Sequence, residues 1–339
     1  MKIVDAGYEI FDPIDGSNTL KKIERVARVC YKSEDKITPD SYRKMVGALV
    51  KSEHFAMLEH GEVILEVDPH TYEDLRWVLS ELSERCGEAP MLRLTSLKLS
   101  QRDIVSGNMR AWLEFFTLCC NNSVGVNTVL FKVFSQMRYC PIFEAIQKRL
   151  EENVELSYTT GGEAKELFYK DLSYEEMLVH YDLTVKFICD RGVSHEIVRH
   201  RVASYAQEST RYCNYNKSGD VAFIRPVFFD EDTPEMDNWL ESCMRAEKTY
   251  NYLISEGRTP QEARSVLPNS LKTEVVMTAN LREWRHFLSL RACGSTGKPH
   301  PQMLEVAVPL LKELREREYL WYLMIWSLWS GKQLNKGRG

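Results

Sequence analysis

Two short runs in this chain constrain its fold more than any other feature. Val63, Leu65 and Val67 alternate with Glu62 and Glu66, and Leu183, Val185, Phe187 and Cys189 fall on every second position. Period two marks a strand, because successive side chains point to opposite faces. Around these runs the apolar spacing is helical. Ile23, Val26, Ala27 and Cys30 mark a helix over 19–32. Thr38-Pro39, a cap followed by proline in the first turn, opens a second helix with Tyr42, Met45, Val46 and Leu49 on one face. The chain is therefore a mixture of helix and strand.

The rest is read the same way. Residues 70–85 predict a helix, 92–100 a strand, and 107–119, 125–138 and 141–152 three more helices. Residues 153–176 are polar, contain Gly161-Gly162, and predict a surface excursion. Asp190-Arg191-Gly192 breaks the second strand, and Ser194 is placed to cap a helix holding Arg199 and His200. A long helix over 234–256 stops at Gly257, and Thr259-Pro260 opens the next. Glu274 to Thr278 predicts a strand, followed by a helix from Asn280. Pro299 to Arg317 is helical, with Pro309 expected to kink or split it. The tail EREYLWYLMIWSLWS predicts a terminal helix packed on the core, with a subunit contact as the alternative. There is one internal echo. Asn108, Arg110, Trp112 and Phe115 recur at the same spacing as Asn280, Arg282, Trp284 and Phe287. Two helices packed in a similar way would explain it, although four positions are too few to claim a repeat.

Composition narrows function. The 339 residues carry a net charge of −5, so nothing pulls the chain globally toward nucleic acid or anionic membrane. No apolar run is long enough to span a bilayer, and the start MKIVDAGYEIFD has acids where a secretion signal would be basic then apolar. The expectation is a cytoplasmic protein. Its nine cysteines show no CxxC pair, which predicts buried reduced thiols. His54, His60, His195 and His300 are dispersed, with no HxxxH pair, so no metal site is expected.

The densest polar cluster is Arg199-His200-Arg201-Val202-Ala203-Ser204-Tyr205-Ala206-Gln207-Glu208-Ser209-Thr210-Arg211-Tyr212. Guanidinium groups grip phosphate with paired charge-assisted hydrogen bonds, and the hydroxyls add short donors. On residue types alone this is a candidate phosphate or nucleotide site, with a solvated charged turn as the plain alternative. A nucleic-acid-binding surface made of this cluster and the aromatic tail is a further reading, opposed by the negative net charge.

RHRVASYAQES at 199–209 resembles the signature of flavin-dependent thymidylate synthases. ERVARVCYKS at 24–33, HFAMLEH at 54–60, GRTPQEARSVLP at 257–268, NLREWRHFLSLR at 280–291 and HPQM at 300–303 resemble further segments of that family, in the same order. The resemblance covers about 1–67 and 180–317. It implies an α+β fold of mixed helices and antiparallel sheet, assembled as a homotetramer. It divides the chain into an N-terminal part of the catalytic domain at 1–69, a family-variable insertion at 70–180, a catalytic core at 181–317, and an aromatic helix and tail at 318–339.

The resemblance also implies chemistry: deoxyuridine monophosphate methylated with methylenetetrahydrofolate, FAD as bound cofactor and NADPH as reductant. By motif position, Ala56, Arg199, His200, Arg201, Gln207, Asn280, Arg282 and His286 would contact FAD. Glu196, Arg199, Gln207, Glu208, Ser209, Thr210, Arg211, Arg264 and Arg291 would contact the nucleotide, with Arg291 as the catalytic group. Three positions depart from common family members: Cys30 for a serine near FAD, Gln207 for a glutamate, and Glu196 for a glutamine. Uracil C5 is a poor nucleophile, and one route activates it by adding a cysteine at C6. The Pro-Cys-His element of the cysteine-dependent synthases is absent, since Cys140 precedes Pro141 and no histidine adjoins a cysteine. The other route is electrostatic, an arginine stabilising the charge that develops on the ring.

Overall fold

The computed structural model describes residues 1–11, 19–86, 93–97, 102–122, 124, 126–134, 142–144, 147, 158–159, 162–215 and 221–317. The strands are β1 (Lys2–Val4), β2 (Gly7–Ile10), β3 (Glu62–Val67), β4 (Arg93–Leu97), β5 (Arg102–Asn108), β6 (Val126–Asn127), β7 (Tyr158–Thr159), β8 (Ala164–Leu167), β9 (Asp182–Asp190), β10 (Ser204–Gln207), β11 (Ala222–Ile224) and β12 (Lys272–Asn280). The helices begin with α1 (Thr19–Tyr31), α2 (Ser41–Lys51), α3 (Pro69–Cys86), α4 (Met109–Asn121) and α5 (Thr128–Phe134). They continue with α6 (Tyr174–His180), α7 (Arg191–Ile197), α8 (Pro234–Ser255), α9 (Pro260–Ala263), α10 (Leu281–Arg291) and α11 (Pro301–Glu316). The described sheets are mainly antiparallel, and the class is α+β.

The chain divides into two compact units. One holds Met1–Phe11, Arg28–Ser33 and everything from Leu183 onward; the other holds Asp12–Ala27 and Glu34–Asp182. In the first unit a four-stranded sheet runs β10-β12-β9-β2. Leu183, Val185 and Phe187 on β9 are fully buried, and so is Thr184, so both faces of the strand are covered. Trp284 lies within ring contact of Phe187 and Phe287, and its indole N–H donates to the Leu183 carbonyl at 2.9 Å. In the second unit the sheet runs β4-β5-β3-β8, and Trp112 packs among Phe115, Phe116 and Phe134.

These two sheets are built alike, which gives the internal echo a structural basis. The second strand across each sheet, β12 or β5, ends on an asparagine that caps the following helix. Asn280 Oδ1 accepts from Glu283 N at 3.0 Å, and Asn108 Oδ1 accepts from Ala111 N at 2.9 Å. Two residues before each cap the pairing partner comes from the equivalent strand: Thr278 faces Ser204 on β10, and Ser106 faces Arg93 on β4. The third strand across each sheet is linked to its next helix by a capping aspartate, the last residue of β9 and the residue after β3. Asp190 accepts from Val193 N at 2.6 Å, and Asp68 from Thr71 N at 3.1 Å. The recurring Trp and Phe residues are the cores of the two units: Trp284, Phe287 and Trp112 are fully buried and Phe115 nearly so. The fourth strands are exchanged along the chain. β2, near the N-terminus, pairs with β9, whereas β8, which comes after β3 to β5, pairs with β3.

Several expectations change. Helix α2 starts at Ser41 rather than Thr38, and the Ser41 hydroxyl accepts from Thr38 N at 2.8 Å. β3 does not keep the alternation of its sequence in its burial, because Ile64, between Val63 and Leu65, is buried as they are. β5 replaces the start of the helix expected at 107–119; of the helix expected at 125–138, Val126–Asn127 form β6, Thr128–Phe134 form α5, and the rest lies outside the described residues. The helix expected at 141–152 lies mostly outside the described residues, as does the aromatic tail. The excursion at 153–176 instead contains β7, β8 and the start of α6, with Ser173 and Glu176 forming a capping box. Ser194 sits inside α7, donating to the Arg191 carbonyl, because Asp190 already supplies the cap. Arg199 and His200 therefore follow the helix rather than belong to it. α11 continues through Pro309, and Val306, Ala307, Leu310 and Leu311 around it are buried. Gly257 ends α8 with φ +83°, the left-handed conformation that glycine enters most easily.

Removing either asparagine cap leaves helix N–H groups unpaired. Asn108→Ala and Asn280→Ala should each lower stability by about 1 kcal/mol, read from denaturant unfolding without added ligand. A protein whose unfolding is unchanged by Asn280→Ala would show that this side chain is not a structural cap.

Candidate functional site

The arginine-rich turn owes its shape to its neighbours in sequence. Asp190 starts α7, which ends after seven residues at Ile197. Tyr205, at the start of β10, reaches back and donates its hydroxyl to the carbonyls of Ile197 at 3.0 Å and His200 at 2.6 Å. The chain from 197 to 205 is thus tied across its base, with Arg199 and Arg201 exposed on its outside. Among the described residues neither side chain makes a hydrogen bond or ion pair.

Helix α10 brings its last residue to this turn. Arg291 donates from Nε to His200 Nε2 at 3.1 Å, from Nη1 to Glu196 Oε2 at 2.7 Å and from Nη2 to the Glu196 carbonyl at 3.2 Å. The His200 ring lies 4.8 Å from Phe287 and 5.8 Å from His286, centroid to centroid. Burial, the Arg291 cation and His286 together push the His200 pKa down to about 4. His200 is therefore neutral at ordinary pH, and accepting from Arg291 at Nε2 places its proton on Nδ1. Arg282 and His286 are exposed on the same helix. The Arg282 side chain makes no hydrogen bond or ion pair among the described residues. Asn280, by contrast, spends its side-chain oxygen on the cap.

The loop after β10 is anchored from beneath. Gln207 donates from Nε2 to Ser194 Oγ at 3.0 Å and Thr273 Oγ1 at 3.1 Å. The Glu208 carboxylate is almost fully buried and points into the unit, where it accepts from Tyr215 Oη at 3.0 Å and meets Lys272 Nζ at 3.1 Å and Lys32 Nζ at 3.2 Å. Lys32 also bonds Glu274 at 2.7 Å, and Lys272 contacts the same carboxylate. Burial raises the Glu274 pKa, but the two lysines outweigh it and hold the pKa at about 2. The Ser209 amide donates to the Cys30 carbonyl at 3.2 Å, and Arg264 Nη1 donates to Thr210 Oγ1 at 2.9 Å. Arg211 is exposed, its guanidinium 5.5 Å from the Tyr212 ring centre.

The structure thus joins Glu196, His200 and Arg291 in one cluster and Thr210 and Arg264 in another. Gln207 and Glu208 turn their side chains to protein partners. Ala56 is exposed on the 3-10 turn Phe55–His60 of the other unit. Sequence reasoning passed over Lys32, Lys272 and Glu274, although charged residues at alternate positions entering an otherwise apolar strand are a signal of buried pairing. Six of the seven described free cysteines are buried, and Cys293 is half-buried.

Residues 142–317 match the family model described as thymidylate synthase complementing protein. A flavin-dependent thymidylate synthase from Thermococcus kodakarensis is 35% identical over 156 residues, which are 45% of this chain and 62% of that protein. One from Pyrococcus horikoshii is 36% identical over 160 residues, 46% of this chain and 65% of that protein. The chain thus spans somewhat less than two thirds of the length of these curated relatives. Among solved structures, a UMP/dUMP methylase, PolB from Streptomyces cacaoi, bound with 5-Br dUMP, aligns over 96% of this chain and 97% of that one, at 15% identity and a TM-score of 0.39. That likeness is too low to support an argument.

The buried ion network has a pH signature. Glu274 has a depressed pKa, so its stabilisation is complete above the unfolded value near 4.5 and is lost as pH falls toward about 2. Wild-type stability should fall across that window, and Glu274→Gln should flatten the fall. Equal slopes for the two proteins would remove the network from the stability account.

Proposed function

Because the chain belongs to the thymidylate synthase complementing protein family, we propose that it converts deoxyuridine monophosphate to thymidine monophosphate, using FAD, methylenetetrahydrofolate and NADPH. The observation that carries this reading is the fixed guanidinium of Arg291, held by Glu196 and His200 at the foot of the arginine-rich turn. The donor set fits a flavin dinucleotide. Arg199 and Arg201 on the turn and Arg282 on the first turn of α10 are exposed cations free to meet a pyrophosphate. Neutral His200 and the exposed His286 offer flat polar edges nearby. Ala56 is a further lining candidate, on the assumption of a homotetramer whose sites draw on several segments. Asn280 contributes by orienting α10 rather than through its side-chain oxygen.

In this reading the nucleotide phosphate is held by Ser209, Thr210, Arg211 and Arg264. The contact between Arg264 and Thr210 already joins two of these in one cradle. Gln207 and Glu208 serve by fixing the loop on Ser194, Thr273 and the lysines. Arg291 stays charged at every working pH, so it cannot act as a base. It favours the electron-rich form of the uracil ring, in which negative charge sits on N3 and its flanking carbonyls, and so makes C5 a better nucleophile toward the methylene carbon. When bound, reduced flavin supplies the hydride that completes the methyl group, with NADPH as its source. A cysteine nucleophile has little support here: burial pushes the Cys189, Cys243 and Cys293 thiols up, away from the reactive thiolate.

Two measurements test the reading. Arg291→Ala should reduce methyl formation in single turnover by about a hundredfold or more, while stopped-flow flavin reduction by NADPH changes little. An equal fall in both half-reactions, or none in methyl formation, would contradict the role. Each Cys→Ala variant should retain methylation with excess FAD present. Abolished methylation in one variant that still binds flavin and nucleotide would replace the electrostatic route with a covalent one.

A further inference from the structure

We propose that Glu196 is a positioning residue that acts through Arg291, holding the guanidinium in one orientation and offsetting its charge until a uracil ring takes a share of it. The proposal rests on the methylation reading above. Its geometry is independent of that reading. Glu196 is one residue before the end of α7, and it engages Arg291 twice, through carboxylate Oε2 at 2.7 Å and through its own backbone carbonyl at 3.2 Å. A side chain held by two acceptors of one residue and by His200 on a third nitrogen has lost most of its rotational freedom. One N–H on each terminal nitrogen stays outside these contacts. Two neighbouring donors in one plane suit the uracil edge in its electron-rich form, with N3 and a flanking carbonyl oxygen both accepting; in the neutral ring N3–H is itself a donor.

The pair is only partly buried, with Arg291 22% and Glu196 36% exposed, so solvent limits its worth as a stability element. Its value lies in orientation. A ligand contact made by Glu196 itself would have a different consequence, since its loss would weaken nucleotide binding rather than slow the reaction of bound nucleotide. The backbone carbonyl survives any substitution, so loss of the carboxylate alone isolates the side chain's part.

The experiment compares wild type, Glu196→Ala and Glu196→Gln in the FAD-loaded protein. Glu196→Ala should slow single-turnover methyl formation at saturating nucleotide by about tenfold or more, with less than about threefold change in KM for deoxyuridine monophosphate. Glu196→Gln keeps an acceptor at the same place and should recover most of the rate. A readout without turnover is the His200 titration, followed by NMR and assigned with the His200→Gln spectrum. If Glu196 holds Arg291 against His200, Glu196→Ala lets the cation leave and the His200 pKa rises. If Arg291 stays in place, losing the carboxylate drives that pKa further down. An unchanged or lowered His200 pKa, or a KM effect without a rate effect, overturns the proposal. Failure of the wild type to form thymidine monophosphate would instead count against the function, and the titration would still judge the positioning role.

Discussion

The three-way contact of Arg291 with Glu196 and His200 is the interaction on which the candidate site depends. It joins the last residue of α10 to the end of α7 and to the turn that follows, so two segments separated by about ninety residues in sequence act as one surface. The contact works only because each partner is fixed by something else. Asn280 sets where α10 begins, Trp284 and Phe287 bury its inner face, and Tyr205 ties the turn by its carbonyls. His200 must be uncharged to accept from an arginine, and its burial beside Phe287 ensures that. Remove any of these supports and the guanidinium has no defined direction.

The likeness between the two units separates architecture from chemistry. Positions shared by both sets are caps and core: Asn280 with Asn108, Trp284 with Trp112, Phe287 with Phe115. Positions that differ fall on the chemistry. His286 corresponds to Glu114 and Arg291 to the buried Cys119, counting from the two asparagines. Arg110, the counterpart of Arg282, is bound by Glu59 and Glu114 at 2.6 Å each, whereas Arg282 is left open. The same strand, cap and helix thus carry a closed ion cluster in one unit and an exposed cationic face in the other.

Much of this was readable from residue types, where the signal is local. Gly257, Thr259-Pro260 and Asn280 mark helix ends through chemistry within one turn, and the structure places helix ends there. Asp190 and Ser194 both offer a capping oxygen four residues apart, and sequence alone does not say which is used. β8 was missed because Ala164-Lys165-Glu166-Leu167 has no strand character of its own; it is a strand because β3 lies beside it, about a hundred residues earlier. Glu208 entered the candidate nucleotide site through the family resemblance, and sequence order does not reveal that its side chain turns inward to Lys272 and Tyr215. Pro309 was expected to kink or split α11; the helix is not split and carries on across it with buried residues on either side.

The most direct test of the account is a product measurement on the purified chain. Deoxyuridine monophosphate is incubated with methylenetetrahydrofolate labelled in its methylene carbon, with FAD and NADPH, and the nucleotide is analysed by mass spectrometry. The account predicts labelled thymidine monophosphate, formed only when all of these components are present. Thymidine monophosphate formed equally well without flavin, or NADPH consumed in the complete mixture with no labelled nucleotide, would contradict it.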